Sequence, residues 1–355
     1  MTLPTDDSER NTSPDWQPTW HPSAMHIRSI ALKTIRNFFY ERDYCEVTTP
    51  VMSHDIVVDA HLHPFTVIDP ASSDTLYLQT SPEAAMKRLL ASGSGSIFQI
   101  GPTFRSAERG IRHNPEFTMV EWYGIDSTDD HQMQLTEQLV SAVHEAVIKF
   151  IKNQTTPQPW TPLSQLTVPF HRTSYEAAFQ PFCQASIHDL HTHEIHSLCE
   201  QHCKLKLPND TARDDLLNLI LAECIEPNLG RSNLKTTTPQ FLHSYPISQA
   251  ALAVASEHDD RTARRFELYI NGLELCNGYF ELTDSNELAR RTAVENQRRS
   301  SHKSQKLPGA PRLVAAMQCG LPKCSGVALG FERLLMALLN TSSIDHVLPF
   351  PIEIA

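Results

Sequence analysis

The chain has 355 residues, 40% of them hydrophobic and 20% charged, which is ordinary globular composition and enough length to bury a core without disulfide or metal staples. A formal net charge of −11 argues against a general nucleic-acid binder, because neutralising phosphates takes clustered Lys and Arg, although a local basic patch can still hold an RNA. The eight Cys show no framework spacing, the N-terminus MTLPTDDSERNTSPDW is polar and acidic, and no apolar run is long enough to span a bilayer, so the expected home is a reducing cytoplasm.

Residues 1–24 are rich in Ser, Thr, Pro and Asp and predict a flexible tail. From Met25 the apolar residues Ile27, Ile30, Ala31, Ile35, Phe38 and Phe39 form one helical stripe. Extended runs follow at 44–49, closed by Pro50, and at 61–68. Ser81-Pro82-Glu83 has the form of an N-cap, a Pro at the first helical position and an acidic first turn, opening a helix to Leu90. Strands are predicted at 97–104 and 117–125, with a charged loop between them, then a helix over 131–152. Residues 153–165 have linker composition, and 169–231 is mostly helical without a nameable motif, so a helical insertion is expected at about 153–240. Strands return at 266–270 and 273–280, helices at 286–299 and 311–318, and a strand-to-helix unit at 326–339. Helices around an antiparallel sheet make the fold class α+β, a single catalytic-sized domain over 25–355.

Three segments carry chemistry. In FELYINGLELCNGYFE, residues 266–281, Asn271-Gly272 between β-rich runs is a strong hairpin signal. A regular two-residue hairpin pairs Tyr269 with Glu274 and Glu267 with Cys276, so Glu267 and Glu274 share a face; two such carboxylates suit Mg²⁺, or else are merely solvated. In FRSAERGIRHNPEFTMVEWY, residues 104–123, Arg105, Arg109, Arg112 and His113 can clamp a polyphosphate, while Phe117, Met119, Glu121 and Tyr123 alternate onto one face and could seat an ammonium. In CSGVALGFERLLMAL, residues 324–338, Gly326 and Gly330 permit close backbone approach, and Glu332 and Arg333 follow at the helix start. Each segment alone also fits an ordinary solvated loop or strand.

Taken in order, the helix and strand ending at Pro50, the Arg105 loop and the Gly330–Arg333 unit resemble the three motifs of class II aminoacyl-tRNA synthetases. RHNPEFTM with EWY, NGLELCNGYFEL and GVALGFER narrow the resemblance to the lysyl branch. Only 24 residues precede the first motif helix, where full lysyl-tRNA synthetases carry an anticodon-binding domain. That truncated form is similar to the elongation factor P–(R)-β-lysine ligases, as is Ala328 in GVALG. The resemblance implies the class II catalytic core, ATP as substrate, Mg²⁺, a β-lysine or lysine substrate, elongation factor P as acceptor, a homodimer through the first motif helix, and no stable tRNA binding.

The same resemblance assigns roles. Arg105 and Arg333 become the catalytic arginines, and Ser106, Ala107, Glu108, His113, Asn114, Glu274, Leu275 and Gly330 join them around ATP. Ser81, Pro82, Glu83, Glu121, Tyr123, Asn277, Glu281 and Ala328 surround the amino-acid substrate, and Glu267 with Glu274 hold the metal. Glu274 and Glu281 are seven residues apart, opposite faces of a regular strand, so a bulge at Asn277-Gly278 is expected to re-aim Glu281. One position departs: the family carries Glu where this chain has Ala107, and Glu108 stands next to it. The run 191–203 contains His193, His196, Cys199 and Cys203, ligand types for zinc, but a polar helix is the expected reading. Competing functions are a truncated synthetase-like enzyme charging another acceptor, or a non-catalytic regulatory paralogue.

Overall fold

The computed structural model describes residues 16–231 and 236–355. Most of the predicted tail therefore lies outside the described residues, and the first helix, α1, already opens at Pro22 (Pro22–Tyr40). Four short strands follow: β1 (Cys45–Glu46), β2 (Met52–Ser53), β3 (Thr66–Ile68) and β4 (Thr75–Leu78). Helix α2 (Glu83–Ala91) begins one residue later than predicted, because Pro82 rather than Ser81 occupies the cap. Strands β5 (Ile97–Phe104) and β6 (Glu116–Ile125) and helix α3 (Asp129–Lys152) come next. The segment expected as a helical insertion holds β7 (His171–Ser174), α4 (Tyr175–Phe179), α5 (Thr192–Cys203) and α6 (Arg213–Ile220), and β8 (Gln240–Pro246) follows. The last elements are β9 (Thr262–Ile270), β10 (Leu273–Phe280), α7 (Ser285–Ser301), α8 (Pro311–Gly320), β11 (Cys324–Gly330) and α9 (Phe331–Leu339).

Eight strands make the main sheet in the order β1-β5-β6-β11-β10-β9-β8-β7. Its six central strands are antiparallel, as expected, while β1 on β5 and β7 on β8 run parallel at the two edges. Strands β7 and β8 escape the sequence pattern. HRTS is short and polar, and β8 is broken by Ser244 at φ +58, where the register slips, so neither shows a clean alternation.

Alternation along the central strands divides the sheet into two unlike faces. Val120, Trp122, Leu329 and Leu268 join Ile27, Ile35 and Phe39 of α1, Leu139 and Val143 of α3, and Leu334 and Leu338 of α9 in one apolar core. Arg28 pins this layer: it donates to Glu332 at 2.7 Å and to the Thr118 hydroxyl at 2.6 Å, and Glu332 also accepts the Thr118 amide at 2.8 Å. The insertion packs round a core of its own, with Tyr175, Phe179, Ile195, Leu216 and Ile220 closing on Tyr245 and Tyr269 of the sheet. Its return segment grips the β9–β10 hairpin, since the carbonyls of Gly230 and Leu229 accept the Asn271 and Gly272 amides at 2.8 Å each. Gly230 has φ +62, and a Cβ there would lie 2.2 Å from the Tyr269 carbonyl oxygen.

The hairpin turns as predicted, with Asn271 and Gly272 both at positive φ. Ile270 pairs with Leu273 and Tyr269 with Glu274, but the expected pairing of Glu267 with Cys276 is wrong. A bulge between Glu274 and Cys276 moves Cys276 opposite Leu268 and Asn277 opposite Glu267.

Candidate active site

The second face of the sheet is the floor of a cavity of about 840 Å³. One row across it runs Glu121, Ala328, Asn277, Glu267, and the next runs Tyr123, Gly326, Tyr279, Arg265. Small residues on β11 keep the centre open. A Cβ on Gly326 would come within 2.3 Å of the Tyr123 ring and 2.6 Å of Glu281 Oε1. The bulge at Leu275 turns Glu274, Asn277, Tyr279 and Glu281 together into the cavity. It lies upstream of the expected Asn277-Gly278 site, which keeps regular register; Gly278 is instead covered by the Phe266 ring, 2.3 Å from where its Cβ would be.

One end of the cavity is cationic. Arg105 donates to the Thr80 carbonyl at 3.3 Å and pairs with Glu108 at 3.1 Å, its guanidinium over the Phe117 ring. Arg333 pairs with Glu274 at 3.3 Å and donates to His113 Nε2 at 2.6 Å. Burial first, then the Arg333 charge, holds the His113 imidazole below its ordinary pKa, so it meets Arg333 as a neutral acceptor. Arg112 also lines this end, whereas Arg109 lies on the surface facing Glu353 at 3.7 Å. Asn114 borders the cavity but spends its amide on the Glu116 carbonyl at 2.6 Å and the Ile352 amide at 3.0 Å. Glu108, Leu275 and Gly330 reach the cavity wall; Ser106, Ala107 and Pro82 do not. The Ser106 hydroxyl is taken by the His63 carbonyl at 3.0 Å, Ala107 is exposed, and Pro82 serves as the α2 cap.

The other end is anionic. Glu83, beside Ser81, faces Glu121, Tyr123 and Glu281 under the cover of α2 and α8. Glu121 Oε1 accepts the Tyr123 hydroxyl at 2.6 Å, and its Oε2 has no hydrogen-bond partner among the described residues. Burial, and then the nearby Glu83, push the Glu121 carboxyl up to about 8. Burial likewise raises Glu281 to about 7, against the pull of Lys87. Lys87 escaped the sequence reading, although Glu83 and Lys87 stand at the i,i+4 spacing of a helical ion pair.

A second acidic corner lies beneath the hairpin tip. Glu267 accepts the Tyr245 and Tyr269 hydroxyls at 2.5 and 2.6 Å and pairs with Arg265 at 2.5 Å. Glu274 is more open, and its carboxyl is raised by burial and then by Glu267. Glu226, which the sequence reading passed over, comes from the insertion, shares the Tyr269 hydroxyl at 3.1 Å, and is pushed to about 7 by burial and by Glu267. Among the described residues no three His, Cys, Asp or Glu side chains are grouped to hold a metal by themselves. Glu267 and Glu274, two hard carboxylates on one face of the sheet, nevertheless fit Mg²⁺, which takes one or two carboxylates and completes its shell with phosphates and water. The 191–203 run forms α5, where the Cys199 thiol meets the Leu216 carbonyl at 3.2 Å and Cys203 lies 3.8 Å from Cys224.

The Glu121 environment has a measurable consequence. Its folded pKa of about 8 lies above the ordinary 4.5, so the folded state binds more protons between those values, and stability falls as pH rises through that window. Glu121→Gln removes the titration. The variant's melting temperature is expected to exceed wild type by roughly 2 °C or more at pH 8, a gap that closes toward pH 5. Parallel melting curves at all pH values would show that Glu121 titrates normally.

The family described as tRNA synthetases class II (D, K and N) matches residues 16–354. A protein of Pseudoalteromonas translucida is 37% identical over 342 residues, covering 95% of this chain and 98% of its own length. Relatives from Yersinia enterocolitica (39% over 345 residues, 95% and 97% covered) and Vibrio cholerae (38% over 348 residues, 96% and 98% covered) are similar to the same extent. All three are named elongation factor P–(R)-β-lysine ligase. With its two-faced sheet, its paired cavity arginines and a match along nearly the whole sequence, the chain belongs to the class II tRNA synthetases of the D, K and N group.

Proposed function

We propose that this protein is a ligase that uses ATP to activate (R)-β-lysine, or lysine, as an aminoacyl-adenylate and then transfers it to a lysine side chain of elongation factor P. The observation that carries this reading is the polarity of one continuous cavity, with guanidiniums at one end, carboxylates at the other and the small residues Gly326, Ala328 and Gly330 between. Phosphates suit the first end and ammonium groups the second. The acceptor rests on the relatives, which carry that activity in their names.

In the first step the substrate carboxylate attacks the α-phosphorus and pyrophosphate leaves. Arg105 and Arg333 stabilise the charge that develops on the phosphates, with His113 fixing Arg333 in place. Glu108 takes the adenine-recognition role that Ala107 lacks, since Glu108 borders the cavity and Ala107 is exposed. Glu274 directly, and Glu267 through its remaining acceptor site, would hold Mg²⁺, which when bound neutralises phosphate charge. Glu83 receives the backbone-side amine, and Glu121, Tyr123 and Glu281 receive the terminal ammonium. In the second step the acceptor amine attacks the acyl carbon, AMP leaves and the amine gives up a proton, forming an amide. The enzyme works in the cytoplasm as a homodimer built on α1, without stable tRNA binding.

Pyrophosphate exchange dependent on β-lysine or lysine is expected, with a matching mass gain on intact elongation factor P. Glu281→Gln should suppress both, and efficient charging of lysine tRNA would overturn the acceptor assignment.

Glu108→Ala should weaken ATP use and narrow the preference for ATP over GTP, because a carboxylate that accepts from the adenine amine is left unpaired by the guanine oxygen. Unchanged values for both nucleotides would remove Glu108 from the adenine site.

Ala328 lies between Glu121 and Asn277 in the floor row, at the amine end. Its methyl has about the volume of one methylene, a difference worth roughly 10–200-fold in a close-packed pocket. Ala328→Gly should raise activation of α-lysine relative to β-lysine with ATP affinity little altered. An unchanged isomer ratio, with both substrates weakened alike, would mean that the methyl only packs the strand.

A further inference from the structure

Lys87 is a buried cation, with its side chain 2% exposed. Its Nζ lies 2.6 Å from Glu83 Oε1 and 2.5 Å from Glu281 Oε2. It does not line the cavity; it stands behind the two carboxylates that do. The remaining groups facing this cluster are Glu121 and Tyr123 from β6, Tyr279 from β10, and Cys324 with the Gly326 amide from β11. None of them carries a positive charge. A buried lysine loses solvation and tends to shed its proton, but Glu281 and then Glu83 outweigh that effect here and hold Lys87 above its ordinary pKa.

We propose that Lys87 is a positioning residue: lodged behind Glu83 and Glu281, its ammonium fixes one oxygen of each and favours their ionised form, the form that receives a substrate's ammonium groups. This rests on the lysine-ligase reading. Lys87 also aims the carboxylates. It occupies one oxygen of Glu83 and one of Glu281, and the other Glu281 oxygen lies beside Gly326 at the cavity floor.

Before substrate enters, Glu281 titrates near neutrality, at about 7, with Lys87 among the groups that hold it down and Glu83 among those that raise it. A carboxyl must be ionised to receive an ammonium, so the substrate KM should fall as pH rises through that value and on through the higher one of Glu121.

The test is the pH profile of amino-acid-dependent pyrophosphate exchange for wild type, Lys87→Met and Lys87→Arg. In Lys87→Met the midpoint in kcat/KM for the lysine substrate should move up by about one pH unit or more. That gives a KM raised about fivefold or more at pH 7 and recovered near pH 9, with kcat changed far less. Lys87→Arg keeps the charge and should keep the midpoint. A KM raised equally at every pH in Lys87→Met, or left unchanged, overturns the proposal. Should Lys87→Met fail to fold, Lys87→Gln, polar but uncharged, reads the same coupling: its midpoint should also move up, and a fixed or falling midpoint overturns the proposal. Wild type that exchanges with lysine substrates while Lys87→Met keeps its midpoint sinks the Lys87 role alone. Wild type that exchanges with neither isomer sinks the ligase reading and this inference together.

Discussion

One extra residue in β10 sets the chemistry of the whole sheet. Leu275 interrupts the ladder between Glu274 and Cys276, and every residue beyond it changes phase. Without that step Glu274 would face the cavity while Asn277, Tyr279 and Glu281 faced the apolar core formed with α1, α3 and α9. With it, Leu275 and Cys276 are buried in that core, and the polar residues on both sides of the bulge point the other way. The strand can then serve the cationic end of the cavity at its start and the anionic end at its finish.

The bulge alone would gather carboxylates without making them tolerable. Buried charges are stable only when paired, and each acidic group here has a defined cation or hydroxyl. Glu267 has Arg265 and two tyrosines, Glu274 has Arg333, and Glu83 and Glu281 share Lys87. Glu121 has a tyrosine hydroxyl on one oxygen and, among the described residues, no hydrogen-bond partner on the other. Its raised pKa is the expected response of a buried carboxyl beside other carboxylates.

The helical insertion is part of this arrangement rather than a decoration on it. Its return segment clasps the Asn271-Gly272 turn through two backbone hydrogen bonds, and Gly230 is needed because any side chain would strike the Tyr269 carbonyl. The same segment delivers Glu226 to Tyr269, beside the two hairpin carboxylates. On the far side of the sheet, the Arg28–Glu332–Thr118 cluster joins the first motif helix to the last, so the elements that present Arg105 and Arg333 are braced against one another.

Much of this was legible in the amino-acid sequence, because it depends on local rules. The α+β class, the boundaries of β5, the Asn-Gly turn and the strand-to-helix unit around Gly330 follow from periodicity and turn chemistry acting over a few residues. Arg105, Glu121, Tyr123 and Arg333 could be singled out from their places along the chain, whereas Glu108 and Glu281 are singled out by the resemblance to the lysyl branch. Tertiary structure alone decided where the bulge falls, because an extra residue is favoured at whichever point lets both faces of β10 be satisfied at once. It also decided that the polar segments HRTS and QFLHSYP become strands, their pairing supplied by each other and by β9. And it made Lys87 a buried counter-ion: the sequence shows its partner one turn away at Glu83, but Glu281 arrives from a strand nearly two hundred residues later, and only the packed sheet brings the three charges together.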